Sequence, residues 1–370
     1  MSRQRVAVGM SGGVDSSLAA CLLKEQGYEV TGVYLECWND PQCRSDQDKK
    51  DALRVALDLA IPFEVLDFRK NYTLKVVEYF YRDYARGVTP NPDVVCNREI
   101  KFGLFYDWME QNGFDYMATG HYARIFSFKD KTDGQYLQRA RDENKDQSYF
   151  LWQVEPEKLS RVLFPLGEIK KNEVREMALA RNLVTAKKPD SMGICFIGEV
   201  DVSELLKNKL GEKTGPVVIE GHDTIVGRHH GIWFYTVGQR VGVEIDKHLL
   251  SQAGIDPTRV KPLYVKEKRM SDNTLVLDYR EQVYGDTFRV FPQWYLSQEE
   301  IERLVAENGL FVRVRNLGEL VPCELETGST PVKVKTKNKL FALAPGQSAV
   351  FYGRIGRKGQ EIVVGGGEII

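Results

Sequence analysis

The chain has 370 residues, of which 42% are hydrophobic and 28% charged, and its formal net charge is −1. This length exceeds what one hydrophobic core usually serves, so we expect two or three domains. The composition is that of an ordinary globular protein, and no apolar run approaches the roughly 18–20 residues of a membrane span. The N-terminus has no apolar signal region, so we expect a cytoplasmic protein without membrane contact.

The first half of the sequence alternates strand-like and helix-like patterns. This alternation predicts an α/β domain with a doubly wound parallel sheet covered by helices on both faces. The predicted strands are 6–9, 29–35, 63–66 and 116–119, and the predicted helices are 15–26, 46–60, 71–86 and 102–112.

The pattern changes after about residue 200. A short helix at 201–210 is followed by a glycine-rich stretch and then by short strands with turn residues between them. This spacing indicates a small central domain and a C-terminal all-β, barrel-like domain. We predict domains at 1–204, 205–280 and 281–370.

Basic residues are concentrated in two places despite the near-neutral total. Residues 161–188 carry a local net charge of +4, from seven Lys or Arg and three Glu. Lys333, Lys335, Lys337 and Lys339 alternate along a strand-like stretch, so all four should share one face. That face is either a solvated strand edge or a surface that meets RNA.

The six cysteines do not predict a disulfide scaffold or a zinc site. A cytosolic chain of this size is expected to keep its thiols reduced. No CxxC pair occurs, and Cys37 and Cys43 lie six residues apart with no histidine nearby. We therefore predict no metal-ligand set among the cysteines. Cys21 and Cys323 are expected in the core.

The strongest motif is SGGVDSS at residues 11–17, between an apolar strand and a helix that starts near Asp15. Two consecutive glycines let backbone N–H groups approach an anion, and the helix N-terminus favours negative charge. A Walker A loop is excluded because its lysine is absent. The structural alternative is a helix-capping turn with Asp15 or Ser16 as the N-cap.

Two further cysteines have flanks that suggest chemistry. We expect Cys96 just before a helix, with Arg98 and Lys101 close in sequence; a helix N-terminus and cations both lower a thiol pKa. Cys195 lies in a glycine-bounded loop beside Asp190. Each cysteine taken alone is more often a buried structural thiol.

The phosphate motif resembles the PP-loop of ATP pyrophosphatases, and six motifs in order resemble the tRNA-specific 2-thiouridylases along essentially the whole chain. The motifs are SGGVDSS (11–17), NPDVVCNREIKFG (91–103), ATGHYAR (118–124), KDQSYFL (145–151), DSMGICFIG (190–198) and YTVGQR (235–240). The resemblance implies ATP-dependent adenylation of the C2 oxygen of the wobble uridine, U34. Sulfur from a cysteine persulfide then gives 2-thiouridine.

The resemblance also implies roles for individual residues. Cys195 would carry the persulfide, Cys96 would be the second catalytic thiol, and Asp93 would be an acid or base. ATP, with Mg²⁺ near Asp15, would be lined by Gly9, Met10, Ser11, Gly12, Gly13, Val14, Asp15, Ser16, Leu35 and Gly120. The target uracil would meet Asn91, Pro92 and Asp93, and tRNA would meet His121, Lys145, Asp146, Gln147, Arg315, Asn316 and Gln347.

The implied partners are wobble-uridine tRNAs for Lys, Glu and Gln and a persulfide sulfur-donor protein. Asn316 stands where the family pattern has tyrosine.

The implied chemistry is coherent from first principles. A uracil C2 oxygen is a poor leaving group, and transfer of AMP makes it a good one. A persulfide then attacks C2, or Cys96 liberates hydrosulfide that does so. If Cys96 and Cys195 form a disulfide, their Cα atoms must come within about 7 Å. We expect this to require a rearrangement around residues 190–198.

Two other classes of function stay open at this point. Another PP-loop enzyme, such as a small-molecule amidating ligase or a lysidine-type synthetase acting on RNA, would need neither cysteine. A non-catalytic RNA-binding or redox-sensing protein would bind nucleotide without releasing pyrophosphate. An iron–sulfur thiolase is disfavoured because no CxxC cluster is present.

Overall fold

A computed structural model describes most of the chain. It covers residues 3–38, 45–128, 134–190, 193, 195, 201–222, 224–240, 245–326, 328, 330–356 and 359–370. Cys43 and six residues of the motif at 190–198 (191, 192, 194 and 196–198) lie outside the described residues.

The N-terminal part of the chain is a parallel sheet flanked by helices. Its strands are β1 (Arg5–Gly9), β2 (Glu29–Glu36), β3 (Phe63–Asp67), β4 (Tyr116–Ala118) and β7 (Val162–Leu163), with the hairpin of β5 (Arg124–Ser127) and β6 (Gln135–Gln138) between the last two. Its helices are α1 (Val14–Glu25), α2 (Ser45–Asp58), α3 (Arg69–Tyr72), α4 (Glu78–Ala85), α5 (Pro92–Cys96), α6 (Tyr106–Gln111), α7 (Pro156–Leu159) and α8 (Lys171–Ala180). Wide π-type turns over Thr73–Val77 and Asn97–Phe105 join α3 to α4 and α5 to α6.

The strands of this sheet follow the order β3-β2-β1-β4-β7, and every pairing is parallel. Val6 and Val8 of β1 pack in one core cluster with residues of α1 and α2, whereas Ala7 packs in a second cluster with Cys96. Alternate residues of a strand point to opposite faces, so helices cover both sides of the sheet. The predicted doubly wound fold is confirmed. The strand order reverses between β1 and β4, where ligands of such sheets bind.

A small four-stranded sheet follows, in the order β10-β11-β8-β9. Its core is formed by side chains such as Val217, Val265 and Leu277, which are fully buried. The elements are α9 (Val202–Leu210), β8 (Gly215–Ile219), β9 (Ile225–His229), a 3₁₀ turn (Ile232–Phe234), α10 (Lys247–Gln252), β10 (Leu263–Arg269) and β11 (Thr274–Tyr279).

The C-terminal part is an antiparallel sheet in the order β12-β16-β15-β14-β17-β18-β6-β5, with β13 paired to β18. It confirms the predicted all-β, barrel-like domain. It also recruits the hairpin β5–β6 from the N-terminal half, which periodicity did not predict. The elements are a 3₁₀ turn (Arg280–Val283), β12 (Tyr284–Val290), β13 (Gln293–Trp294), α11 (Gln298–Ala306), β14 (Leu310–Arg313), β15 (Val321–Glu326), β16 (Val332–Phe341), β17 (Ser348–Ile355) and β18 (Gln360–Glu368).

The predicted lysine stripe is an outward face of β16. Lys335 and Lys337 are exposed, whereas Val334 before them and Thr336 between them are buried. Lys335 lies opposite a glutamate of β15 in the register, so the stripe is partly neutralised. A contact of this face with RNA stays a prediction. Among the described residues, no helix is long and apolar enough to cross a bilayer.

A buried ion pair joins the N-terminal half to the C-terminal sheet. Asp146 has no exposed area, and its Oδ2 lies 2.8 Å from Nη1 of Arg313, which is itself 3% exposed at the side chain. Asp146 also accepts hydrogen bonds from the N–H of Ala140 and the hydroxyl of Ser148. A second cation, Arg139, lies 3.5 Å away. The carboxylate therefore fixes how the two parts meet.

Asp146→Asn should destabilise the fold strongly, because it leaves the buried guanidinium of Arg313 without its counter-charge. Loss of one partner of a buried ion pair costs about 3–5 kcal/mol of unfolding free energy, which urea unfolding would measure. Glu326→Gln is the matched control, since its pair with Lys333 is exposed and such pairs contribute at most about 1 kcal/mol. Equal stability losses in the two variants would contradict the assignment.

Candidate active site

The phosphate loop lies at the carboxyl end of β1, where the sheet order reverses. The N-cap of α1 is Gly13, which supplies no side-chain cap, and the helix begins at Val14. The alternative interpretation, in which Asp15 or Ser16 caps the helix, is therefore wrong. Ser16 Oγ instead accepts from the N–H of Ser11 at 3.1 Å and lies 3.2 Å from Ser11 Oγ. The first N–H groups of α1 are thus not capped by a side chain and suit an anion.

Two glycines allow this loop to pack closely. Gly12 has φ +72°, and a Cβ there would collide with the backbone of Asp48 on α2. Gly120, after β4, lies against the start of α1: a Cβ on it would be 2.7 Å from the Ser16 nitrogen. Any larger residue at either position would displace the loop.

Charged side chains surround the loop in a connected network. Lys171 Nζ lies 2.7 Å from Asp15 Oδ1 and 2.9 Å from Asp190 Oδ1. Asp190 also binds Arg175 at 2.6 Å and Lys145 at 2.8 Å. Partial burial raises the pKa of Asp190, but the ammonium groups of Lys145 and Lys171 outweigh it and lower that pKa to about 2. Asp190 is therefore an anion at any physiological pH.

A second ammonium group touches the loop itself. Lys188 Nζ donates to the carbonyl oxygen of Gly12 at 3.0 Å and pairs with Asp48 at 2.7 Å and with Asp51. Three basic residues of the segment 161–188, Lys171, Arg175 and Lys188, thus belong to the network around the phosphate loop. Arg161 and Arg181 pair with glutamates elsewhere. Sequence reasoning noted the excess charge of this segment but did not assign Lys171 or Lys188 to the loop.

The other predicted nucleotide-site residues lie at the carboxyl ends of β1 and β2. Met10 and Leu35 are 2% and 6% exposed, and the N–H of Met10 donates to the carbonyl of Val33 at 2.8 Å. Gly9 ends β1, so it lies at the same edge of the sheet.

The structure brings the two predicted cysteines together. The thiols of Cys96 and Cys195 share a hydrogen bond, and both are free thiols. Cys96 has no exposed area, whereas Cys195 is partly exposed. Contact between the two thiols therefore needs no rearrangement, and the expectation that a disulfide requires one around residues 190–198 stays a prediction.

The position of Cys96 also differs from the expectation. It is the last residue of α5 and continues directly into the π-type turn, so it lies inside a helical segment and not at the N-terminus of a helix. Asn91 caps α5 through its side chain, which accepts from the N–H of Val94 at 3.4 Å, and Pro92 occupies the first turn. Helical structure therefore starts at Pro92, ten residues before the predicted helix at 102–112, because the cap and proline lie before Cys96.

The main chain of Cys195 is held on both sides. Its N–H donates to Oδ1 of Asp93 at 3.1 Å, and its carbonyl oxygen accepts from the hydroxyl of Tyr72 at 2.6 Å. Tyr72 was not singled out from sequence, because nothing in the helical pattern distinguishes a functional tyrosine from a core one.

The two thiols are electrostatically unlike. The hydrogen bond from Cys96 and the ammonium of Lys101 lower the pKa of the Cys195 thiol, against the effect of burial. Burial raises the pKa of Cys96 well above its ordinary value, and it also raises the pKa of Asp93. The site therefore pairs one ionisable thiol with one that stays protonated.

His121 completes the pocket from the segment after β4. Its Nδ1 lies 2.8 Å from Thr119 Oγ1 and its Nε2 lies 3.4 Å from Lys101 Nζ. An ammonium has no acceptor, so Nε2 must accept and Nδ1 must carry the proton. Burial, together with the charge of Lys101, lowers the pKa of His121 well below its ordinary value. His121 is a neutral pocket residue, and its contact with tRNA stays a prediction.

The predicted tRNA residues of the motif at 145–151 hold the fold together. Gln147 exchanges bonds with the backbone of Tyr122, whose N–H donates to Gln147 Oε1 at 2.9 Å. Lys145 pairs with Asp190, as described above. Asp146 is fully buried, so its side chain offers no exposed atom to RNA.

The predicted C-terminal contacts approach the segment before α5. Gln347 Nε2 donates to the carbonyls of Thr89 and Pro90 at 2.9 and 3.0 Å. Arg315 is exposed and lies over the ring of Phe341. Asn316, whose identity departs from the family pattern, has a buried Oδ1 with no hydrogen-bond partner in the described part of the chain.

The fold and site together define a class: a nucleotide-binding α/β enzyme in which a phosphate loop and a pair of thiols share one edge of a parallel sheet. Family models agree with the domain order. They match a tRNA methyl transferase HUP domain over residues 4–199, a tRNA methyl transferase PRC-barrel domain over 203–278 and an aminomethyltransferase beta-barrel domain over 287–369.

Curated relatives match nearly the whole chain. A tRNA-specific 2-thiouridylase MnmA from Enterococcus faecalis is 40% identical over 95% of this chain and 92% of its own. A protein of the same name from Bacillus anthracis is 40% identical over 94% of this chain and 91% of its own. The chain therefore belongs to the MnmA family of tRNA-specific 2-thiouridylases, and the resemblance carried by the six motifs is confirmed.

Solved structures resemble the chain only in part. An NMN synthetase from Francisella tularensis has a TM-score of 0.34 and 19% identity, over 51% of this chain and 66% of that one. The U34-tRNA thiolase NcsA from Methanococcus maripaludis has a TM-score of 0.35 and 18% identity, over 51% and 61%. Likenesses at this level carry no argument about function.

Cys195 should be alkylated before the other described cysteines. The thiolate is the reactive form, so a lowered pKa keeps Cys195 reactive at neutral pH, where an ordinary thiol is mostly protonated. Cys96 should resist because it is buried and its pKa is raised. Iodoacetamide labelling followed by peptide mass spectrometry measures both rates, and Cys195→Ser should remove the fast phase. Equal rates at Cys96 and Cys195 would contradict the described environment.

Proposed function

We propose that this protein adenylates the C2 oxygen of the wobble uridine U34 of tRNA with ATP and replaces that oxygen with sulfur. The observation that supports this most directly is the contact between the Cys96 and Cys195 thiols at the same sheet edge as the phosphate loop. ATP activation alone supplies no sulfur, and thiols alone do not displace a uracil oxygen. The relatives are named for this product.

ATP is the first substrate of the proposed reaction. Backbone N–H groups at the start of α1 and the hydroxyls of Ser11 and Ser16 would receive its phosphates. Lys171 and Lys188 would neutralise charge as pyrophosphate leaves.

The residues at the loop also fit Mg²⁺. Among the described residues no three His, Cys, Asp or Glu side chains converge, but Mg²⁺ is commonly held by one or two carboxylates together with substrate phosphates. Asp15 would supply that carboxylate, exchanging its present bonds to Lys171 and Tyr122. Bound Mg²⁺ would stabilise negative charge on the departing pyrophosphate.

The sulfur reaches the site as a persulfide on Cys195. In one route, the thiol of Cys96 attacks the Cys195 sulfur of the perthiolate, which forms the Cys96–Cys195 disulfide and releases hydrosulfide. Hydrosulfide then adds to C2, and AMP leaves with the former uracil oxygen. In the other route, the terminal persulfide sulfur attacks C2 directly and AMP leaves with the former uracil oxygen. Cys96 then attacks the Cys195 sulfur, which forms the same disulfide and breaks the persulfide S–S bond, so the terminal sulfur stays on C2. A reductant must regenerate the two thiols in both routes.

Asp93 is the proposed acid or base that acts on the uracil. It lies in the first turn of α5 beside Cys195, and burial raises its pKa, so part of the population is protonated nearer neutral pH than is usual for a carboxyl group. Asn91 and Pro92 would contact the base. The proposed partners are tRNAs for Lys, Glu and Gln and a persulfide donor protein, and the proposed location is the cytoplasm.

Incubation with ATP, Mg²⁺, a persulfide donor and unmodified tRNA of the Lys, Glu or Gln type should yield thiolated tRNA, AMP and pyrophosphate. Retardation on a mercury-containing gel and release of AMP measure the two products. Cys96→Ser and Cys195→Ser should each abolish thiolation, because each removes one of the two sulfurs that transfer requires.

Cys323→Ser is the matched control and should thiolate normally, since Cys323 lies in the core of the C-terminal sheet. Normal thiolation by Cys195→Ser would rule out the proposed route. Release of AMP without sulfur in any tRNA would favour another PP-loop enzyme with a different acceptor. A protein that binds ATP but releases no pyrophosphate would favour the non-catalytic alternative.

Gly12→Ala should impair ATP use without affecting the thiols. The added Cβ collides with the Asp48 backbone and the φ of +72° disfavours alanine, so the phosphate loop must shift. AMP release should fall by at least about tenfold, the effect of about 1.4 kcal/mol on a barrier, while the rate of Cys195 alkylation stays at the wild-type value. Wild-type AMP release in Gly12→Ala would count against this loop as the ATP site.

A further inference from the structure

Lys101 lies in the thiol pocket but has no role in the scheme above. It sits in the middle of the π-type turn, and its ammonium contacts the Cys195 thiol on one side and His121 Nε2 at 3.4 Å on the other. The chain thus places a fixed cation against the thiol that accepts sulfur. We call residues 92–111 the thiol helix, made of α5, the π-type turn and α6.

The π-type turn explains how Lys101 reaches this position. In an α-helix, a residue five positions further on is rotated by about 140° and would point away from Cys96. In a π-helix the backbone bonds run from residue i to i+5, so residues five apart follow one another along one face. Cys96 and Lys101 are separated by five positions, and both contact Cys195. The widened turn therefore aligns thiol and ammonium.

Gly103 supports the same geometry. An ideal Cβ on Gly103 would lie 2.8 Å from the carbonyl oxygen of Arg98, five positions earlier. Backbone atoms cannot yield as a flexible side chain can, so the turn requires glycine here. The motif at 91–103 thus carries both the cation and the glycine that allows the turn.

We propose that Lys101 is the positioning residue that holds the Cys195 sulfur as a thiolate ready to accept sulfur, and that it then holds the perthiolate. This inference rests on the proposed function and adds a residue to it. Cys195 thiolate attacks the outer sulfur of the donor's persulfide. A new S–S bond forms on Cys195, the donor's S–S bond breaks, and its electron pair leaves with the donor thiolate. Lys101 neither gains nor loses a proton.

The surroundings keep Lys101 charged. Neutral His121 presents an acceptor to it, with the imidazole proton directed to Thr119. Burial lowers the pKa of Lys101, but contact with Cys195 and Cys96 outweighs this effect and raises it. The titratable groups near the Lys101–Cys195 pair are Cys96 and Asp93 of α5, Cys37 after β2, Tyr72 of α3 and His121 after β4.

The test is the pH dependence of Cys195 alkylation by iodoacetamide in the full-length protein, without ATP or tRNA. Removal of a cation from an adjacent thiolate should shift the midpoint upward by about 1–3 pH units in Lys101→Met. The rate at neutral pH should fall by about tenfold or more. Lys101→Arg should restore most of the wild-type profile. Lys75→Met is the matched control, because Lys75 pairs with Glu99 outside the pocket, and its profile should not move.

Gly103→Ala provides a second variant in which the lysine is retained. Displacement of the turn should move the midpoint in the same direction as in Lys101→Met. An unshifted midpoint in folded Lys101→Met would overturn the inference.

Failure of this inference is distinguishable from failure of the proposed function. If wild-type protein thiolates tRNA but Lys101→Met keeps its midpoint, the function stands and Lys101 does not hold the thiolate. If the midpoint shifts but no tRNA is thiolated, Lys101 does hold the thiolate and the acceptor of the reaction lies elsewhere.

Discussion

The thiol site depends on one constraint: the thiol helix must leave α-helical geometry immediately after Cys96. Only a widened turn places Asp93, Cys96 and Lys101 around the same point, because the α-helical period would rotate the lysine away. The remaining contacts follow from it. Asp93 receives the N–H of Cys195, Cys96 bonds to its thiol, and Lys101 provides the positive charge. The phosphate loop needs no comparable irregularity, since a strand, two glycines and a helix suffice.

The two halves of the proposed reaction meet in the short segment after β4. Gly120 packs on the backbone of Ser16 at the start of α1, and its neighbour His121 bonds to Lys101 beside the thiols. A displacement of this segment would therefore change the geometry of both the phosphate loop and the thiol pocket. The reversal of strand order between β1 and β4 explains why these loops are adjacent. The C-terminal sheet contributes from outside, since Gln347 holds the backbone that leads to Asn91.

The parts of the molecule that obey local periodicity could be predicted from the sequence. Four of the five strands of the parallel sheet follow from apolar spacing, and the phosphate loop follows from its glycines and hydroxyls. The two-residue strand β7 and the helix α8 were not predicted. The start of the thiol helix was missed because Cys96 was expected to precede a helix, whereas the cap, Asn91, and the proline of the first turn lie before Cys96. The hairpin β5–β6 was missed because β6 pairs with β18, where Gln138 lies opposite Ile362, 224 residues further along the chain. The buried pairing of Asp146 with Arg313 has no local signal, since burial of a charge depends on its partner.

In the proposed reaction, the difference between the two thiols sets the order in which they would act. Cys195 is ionised more readily and is partly exposed, so a donor can reach it and it can attack the donor's sulfur. Cys96 is buried and stays protonated, so it cannot compete for the donor. Once a persulfide stands on Cys195, negative charge moves outward to the terminal sulfur, and Cys96 still carries the proton that leaving hydrosulfide would take up. If the two thiols had equal acidity, either could accept the donor's sulfur, and acidity would not select Cys195 as the acceptor. Because the two thiols differ in burial and charge, Cys195 would accept the sulfur from the donor, and the sulfur would pass from Cys195 to the activated base.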